Sequence, residues 1–113
     1  MVRRNKLTSV GPTTLRVRET LRAAPGVLAS DPDERAKLLR RKLRTGDLLR
    51  MAEVVRDLAW RQRTGRANEE DTRLLWYADR ELVCRLAAQT GKERAWVRQR
   101  VWASVERMVS RFA

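Results

Sequence analysis

The sequence predicts an all-α domain: a compact bundle of four main helices preceded by a short N-terminal one. Three observations lead there. Apolar residues recur at helical spacing through nearly everything after the first dozen residues, no segment sustains strand alternation, and glycine, proline and small polar residues fall between the periodic runs. A chain of 113 residues, 42% of them hydrophobic, makes one domain with a modest core. Residues 1–11 read as a basic lead and residues 12–113 as the helical domain.

The lead ends at Gly11-Pro12, after which Thr13 or Thr14 can cap a short helix running to about Ala23. That helix turns Leu15, Val17 or Arg18, and Leu21 inward. Ala24-Pro25-Gly26 breaks it, and Val27 and Leu28 are expected to pack down as a loop anchor. Asp31-Pro32-Asp33-Glu34 starts the second helix. Asp31 caps, proline fits the first helical position, the acids favour the positive end of the helix dipole, and Asp31 with Glu34 has capping-box spacing. This helix runs to about Arg44 with Ala36, Leu39 and Leu43 inward.

The run KLRTGDLLRMAEVVRDLAWRQR, Lys42 to Arg63, holds a helix stop, a helix start and a long amphipathic helix. Gly46 suits a left-handed cap and Asp47 can cap the third helix. Leu48, Met51, Ala52, Val55, Leu58 and Ala59 define the buried face of that helix, which reaches Gln62, with Arg50, Arg56, Arg61 and Arg63 largely off it. Thr64-Gly65-Arg66 turns the chain. Asn68, with Asp71 three residues on, caps a fourth helix to about Gln89 that buries Leu75, Ala78, Leu82 and Leu86. Thr90-Gly91 ends it. The fifth helix starts near Glu93 and buries Val97, Val101, Val105, Met108 and Phe112.

Charge narrows the function. The formal net charge is +12, with 26 Lys and Arg against 14 Asp and Glu. Such an excess repels itself and implies a polyanionic partner, nucleic acid first and an acidic membrane surface second. The bias to arginine suits bidentate contacts to phosphate and guanine, although arginine-rich codon usage gives the same bias. No run is apolar enough to span a membrane, and the N-terminus lacks the apolar stretch of a signal peptide, so the expected location is cytoplasmic.

Catalysis finds no footing. Without histidine there is no Ser-His or Cys-His pair and no imidazole metal ligand. The glycines are single and stand at helix ends, so no phosphate-cradling loop exists. The carboxylates Asp31, Asp33 and Glu34, and again Glu69, Glu70 and Asp71, are accounted for as helix starts. Cys84 has no partner for an internal disulfide and reads as a small core residue. No enzyme activity, cofactor or metal is expected.

Trp60, Trp76, Trp96 and Trp102 carry most of the aromatic surface. Each has a packing reading between helices and a base-stacking reading, and Trp76 is expected at the core edge. The densest basic set is Arg35, Lys37, Arg40, Arg41, Lys42 and Arg44 on the second helix, with others at Arg61, Arg63 and Arg66 and at Arg94, Arg98 and Arg100. The second-helix set is the preferred phosphate contact.

The run RAKLLRRKLRTGDLLRMAEVVRDLAW, followed by a helix beginning ANEEDTRLL and containing ADRELV, resembles the C-terminal helical domain of the CarD/CdnL family. Lys42-Leu43, Gly46-Asp47 and Ala52-Glu53-Val54-Val55-Arg56-Asp57-Leu58 carry the resemblance, which extends from Val10 to about Ala88 and more loosely to the end. It implies a bacterial transcription regulator whose C-terminal domain binds promoter DNA at the upstream edge of the melted bubble, while a Tudor-like β domain binds the RNA polymerase β subunit. Ten residues before Gly11 are too few for that β domain, so association with RNA polymerase holoenzyme is expected only indirectly. The family's minor-groove tryptophan wedge at the start of the second helix falls at Pro32 here. Family basic positions after the wedge match Arg35 and Lys37, and one early in the fourth helix matches Thr72 or Arg73. The expected DNA-contacting set is Arg35, Lys37, Arg40, Arg41 and Arg73. The alternative is a helical protein-interaction module inside a transcription complex, without direct DNA contact.

Overall fold

Proline opens two of the five helices found among the described residues, 11–113, of the computed structural model. Helix α1 spans Pro12–Arg22 and α2 spans Pro32–Arg44. At a first helical position proline supplies the right φ and lacks only an N–H that would have had no helical partner. For α1 this displaces the expected threonine cap: Gly11 holds the cap position without a side-chain bond, and Thr13 and Thr14 lie inside the first turn. The basic lead before Gly11 lies outside the described residues.

The other starts match their sequence signals. Asp31 accepts from the Glu34 amide at 2.9 Å, although no return bond from Glu34 completes a box. Helix α3, Leu48–Arg63, is capped by Asp47, which accepts from the Leu49 amide at 3.0 Å. Helix α4, Glu69–Thr90, has the full reciprocal box between Asn68 and Asp71. Helix α5 spans Arg94–Phe112. The stops are equally local. Gly46 after α2 and Gly91 after α4 take φ of +74° and +75°, a region that a Cβ disfavours.

Helix α3 is the centre. It packs on all four others, and Ala52, Val54 and Val55 on it are wholly buried. Around it the neighbours run α2, α4, α5, α1: α2 touches α4, α4 touches α5, and α5 touches α1. The expected inward residues of α2, α3 and α4 are buried except Leu48, which is half-buried against the core. Val17 and Leu21 hold α1 in place, while Leu15 and Arg18 face out.

Three expectations fail at edges. Phe112 is 37% exposed: it lines a cleft with Val27, Leu28 and Trp60, and Arg111 lies over its ring. Val27 is fully exposed, so of the two residues only Leu28 packs against the core. Cys84 is half-buried rather than deep in the core. No described helix is long and apolar enough to cross a membrane.

Candidate nucleic-acid interface

Positions 40, 41 and 44 fall three, four and seven residues from Lys37, so α2 sets four cations along one stripe of its surface. All four face solvent. The stripe is the back of the helix that buries Ala36, Leu39 and Leu43. Cations in its last turn also suit the negative end of the helix dipole, which steadies the helix without any ligand.

Carboxylates divide the stripe. Arg40 pairs with Glu70 on α4, and Glu70 also takes Arg73 at 3.1 Å. Arg73 further reaches Glu69 at 3.5 Å. These pairs are exposed, so they hold the side chains only weakly and part readily. Lys42 is turned toward α3, where its Nζ lies 2.9 Å from Glu53, a residue that Arg50 also contacts at 3.1 Å. Burial alone would raise the Glu53 carboxyl, but hydrogen bonds from Lys42 and Arg50 and their charges hold it below its ordinary value. Lys37, Arg41 and Arg44 have no carboxylate within ion-pair distance among the described residues. Arg44 stands with them although the family pattern did not point to it. Helical periodicity alone was enough to find it.

Arg35 does not belong to this surface. It is 2% exposed and points into the domain. Its Nε and Nη2 donate to Asp71 at 2.9 and 3.1 Å, and its Nη1 donates to the carbonyls of Ala29 and Ser30, both at 3.1 Å. With its donors engaged and its side chain covered, no phosphate reaches it. Its charge places it among the expected phosphate contacts, although it precedes the inward Leu39 by one helical turn. Asp71 decides the outcome. It also accepts from Arg61 Nε at 3.1 Å and from the Asn68 amide at 2.9 Å. Burial raises this carboxyl, but the bonds from Arg35 and Asn68, the Arg35 charge and the Arg61 bond outweigh it and leave it below the ordinary carboxylate value.

Pro32, at the family's wedge position, is exposed at the first turn of α2. The tryptophans lie elsewhere. Trp60 is half-buried against the core. Trp102 packs at the core edge and donates its indole N–H to Asp79 at 2.7 Å. Trp76, expected at the core edge, is 49% exposed, with its ring centroid 5.8 Å from that of Trp102. Trp96 lies under Lys92 and Arg100, at 5.3 and 4.8 Å. No group of three or more potential metal ligands occurs among the described residues.

Comparison with known proteins agrees with the helical pattern. The family model described as "CarD, C-terminal domain" matches residues 16–102, from the first turns of α1 to the middle of α5. No curated protein matches the chain. The match covers well over half of the sequence and every helix-to-helix connection, and so the chain belongs to the CarD C-terminal domain family, a transcription-related domain.

Proposed function

We propose that this domain holds promoter DNA by its phosphate backbone along α2, through Lys37, Arg41 and Arg44, with Arg40 and Arg73 joining when Glu70 releases them. The observation that carries the reading is the stripe itself: three exposed cations, about one turn apart, with no carboxylate in range on a helix whose other cations are tied down. Family membership supports it. The contacts are to phosphates and carry no base code, so the domain positions itself without reading sequence. Pro32 offers no aromatic wedge, so the melted edge of a bubble gives no extra affinity through that position. The work belongs in the bacterial nucleoid, with RNA polymerase holoenzyme engaged indirectly and with no chemical reaction assigned.

A second reading has its own support. Trp76 and Tyr77 are 49% and 47% exposed side by side on α4, a surface suited to a protein partner in a transcription complex. A salt-titrated binding assay on forked and fully paired promoter DNA separates the two. Lys37→Gln, Arg41→Gln and Arg44→Gln together are expected to weaken both DNAs equally and to reduce the salt slope by about 0.9 per lost phosphate contact. Unchanged affinity and slope in that variant would refute the α2 contact and favour the protein-interaction reading.

A further inference from the structure

Helices α1 and α5 bring Arg18, Arg22 and Arg107 together where they pack. None of the three has a carboxylate within ion-pair distance among the described residues. Glu19, on the same helix, makes no ion pair among the described residues, and Glu106 is taken by Arg63. Arg22 is half-buried, and its Nε is shielded from solvent with no hydrogen-bond partner among the described residues. A covered guanidinium donor is normally satisfied, so an orphan here marks a place where an acceptor belongs. Burial first, and then the charges of Arg107 and Arg18, hold the Arg22 guanidinium below its ordinary value. Elsewhere the molecule sets its acids against such crowding, as Asp71 does between Arg35 and Arg61. Here it does not.

The cluster is also separate from the α2 stripe. Around α3 the helices run α2, α4, α5, α1, so α4 stands between α2 and the α5 side of the cluster. We propose that Arg18, Arg22 and Arg107 form a second phosphate-binding site, occupied by the backbone of a nucleic acid at a place distinct from α2. The inference deepens the DNA-binding reading and rests on it for the choice of ligand. Phosphate oxygens suit the site: each guanidinium offers a planar fork of donors, and the phosphates supply the missing acceptor and the missing negative charge. An acidic protein segment offers fewer charges per length than a nucleic acid backbone, which makes it the weaker fit for three closely set arginines.

The test uses the whole chain and four variants: Arg18→Gln, Arg22→Gln and Arg107→Gln combined; Arg18→Gln with Arg107→Gln; the α2 triple variant Lys37→Gln, Arg41→Gln and Arg44→Gln; and the two triple sets together. Salt-titrated binding to a duplex of about three helical turns is measured for each, with inorganic tripolyphosphate as a second probe. Loss of the α1–α5 arginines is expected to reduce the salt slope by roughly 2–3, additively with the α2 set because the sites do not touch. A double variant, Arg18→Gln with Arg107→Gln, leaves the packed stem of Arg22 alone and is expected to reduce the slope by about 2, which guards against a folding defect. An unchanged slope in both α1–α5 variants overturns the site, whatever the α2 variant does. A reduced slope there with an unchanged α2 variant keeps this site and refutes the α2 reading instead. Tripolyphosphate binding lost in the variants while duplex binding is kept overturns the assignment to nucleic acid, in favour of a free polyphosphate.

Discussion

Arg35 meets Asp71 in a two-bond fork inside the domain, Nε to Oδ1 at 2.9 Å and Nη2 to Oδ2 at 3.1 Å, joining α2 to α4 across 36 positions of sequence. Both side chains are 2% exposed. Arg61 adds α3 to the same carboxylate, and Asp71 also closes the α4 capping box. One carboxylate thus fixes how α2, α3 and α4 sit together. On the proposed reading, this junction orients the outward stripe of α2 without contributing a contact of its own.

Replacing Arg35 with alanine therefore acts on stability. It leaves Asp71 buried with only part of its compensation, and breaking a buried pair from one side costs about 3–5 kcal/mol. A urea titration should show a lower midpoint. Arg35→Lys should recover little, since lysine cannot make the fork. In the fraction that stays folded, the salt slope of DNA binding should equal that of the parent chain. A slope reduced by about one, with stability unchanged, would mean that Arg35 touches phosphate after all.

Acid should loosen the same junction. The folded-state values of Asp71 and Glu53 both lie below their ordinary ones. A carboxyl depressed by folding stabilises the fold above its unfolded value, near pH ~4 for such groups, and that contribution is lost as pH falls through the lower folded value. Thermal midpoints should be flat from neutral pH to about 5 and fall below about 4. Glu53→Gln should lower the neutral midpoint slightly and make the acid fall shallower. A midpoint that rises on acidification would contradict the assigned direction.

The helices were legible because their signals are local. Asp31, Asp47 and Asn68 each cap the helix after them, and the inward faces of α2, α3 and α4 come from periodicity. What sequence could not supply was pairing between distant residues. Arg35 and Arg41 look alike as neighbours in one basic run, yet one is buried and the other exposed. The difference is Asp71, whose place in the sequence signals only a helix start. Arg18, Arg22 and Arg107 likewise form a cluster only once α1 lies on α5. The ends also resisted prediction: Phe112 keeps the period of α5 yet stays 37% exposed.

Trp102→Phe should cost more than the modest change in size suggests. The indole N–H donates to Asp79 at 2.7 Å, and Asp79 is 3% exposed with Arg98 at 3.1 Å as its other partner. Phenylalanine removes one of those donors from a buried carboxylate, at roughly 1–3 kcal/mol. Trp76→Phe changes only a half-exposed ring and should stay within about 0.5 kcal/mol. Chemical denaturation of the two variants side by side checks the order. Equal losses would show that ring contact between Trp76 and Trp102 matters more than the hydrogen bond.

Gly26→Ala tests how α1 is tied to α3. The Gly26 amide donates to Asp57 Oδ1 at 2.8 Å, Arg56 Nε donates to the same oxygen at 2.8 Å, and Arg56 Nη1 donates to the Thr20 carbonyl at 3.2 Å. Asp57 itself is 4% exposed. Gly26 is not among the glycines with positive φ, so alanine meets no backbone barrier there and would gain about 0.4–1 kcal/mol from a less flexible unfolded chain. Against that, its Cβ would stand 3.2 Å from Asp57 Oδ2, closer than ordinary van der Waals contact. The carboxylate cannot retreat without stretching the bonds that hold it. Crowding should win, with a net loss of about 1 kcal/mol, because a strained buried carboxylate outweighs the entropy of one residue. Asp57→Ala should lose more, since it strands the Gly26 amide and Arg56 together. Equilibrium unfolding gives both values, and a Gly26→Ala variant more stable than the parent would mean that the loop shifts freely and that Asp57 does not anchor it.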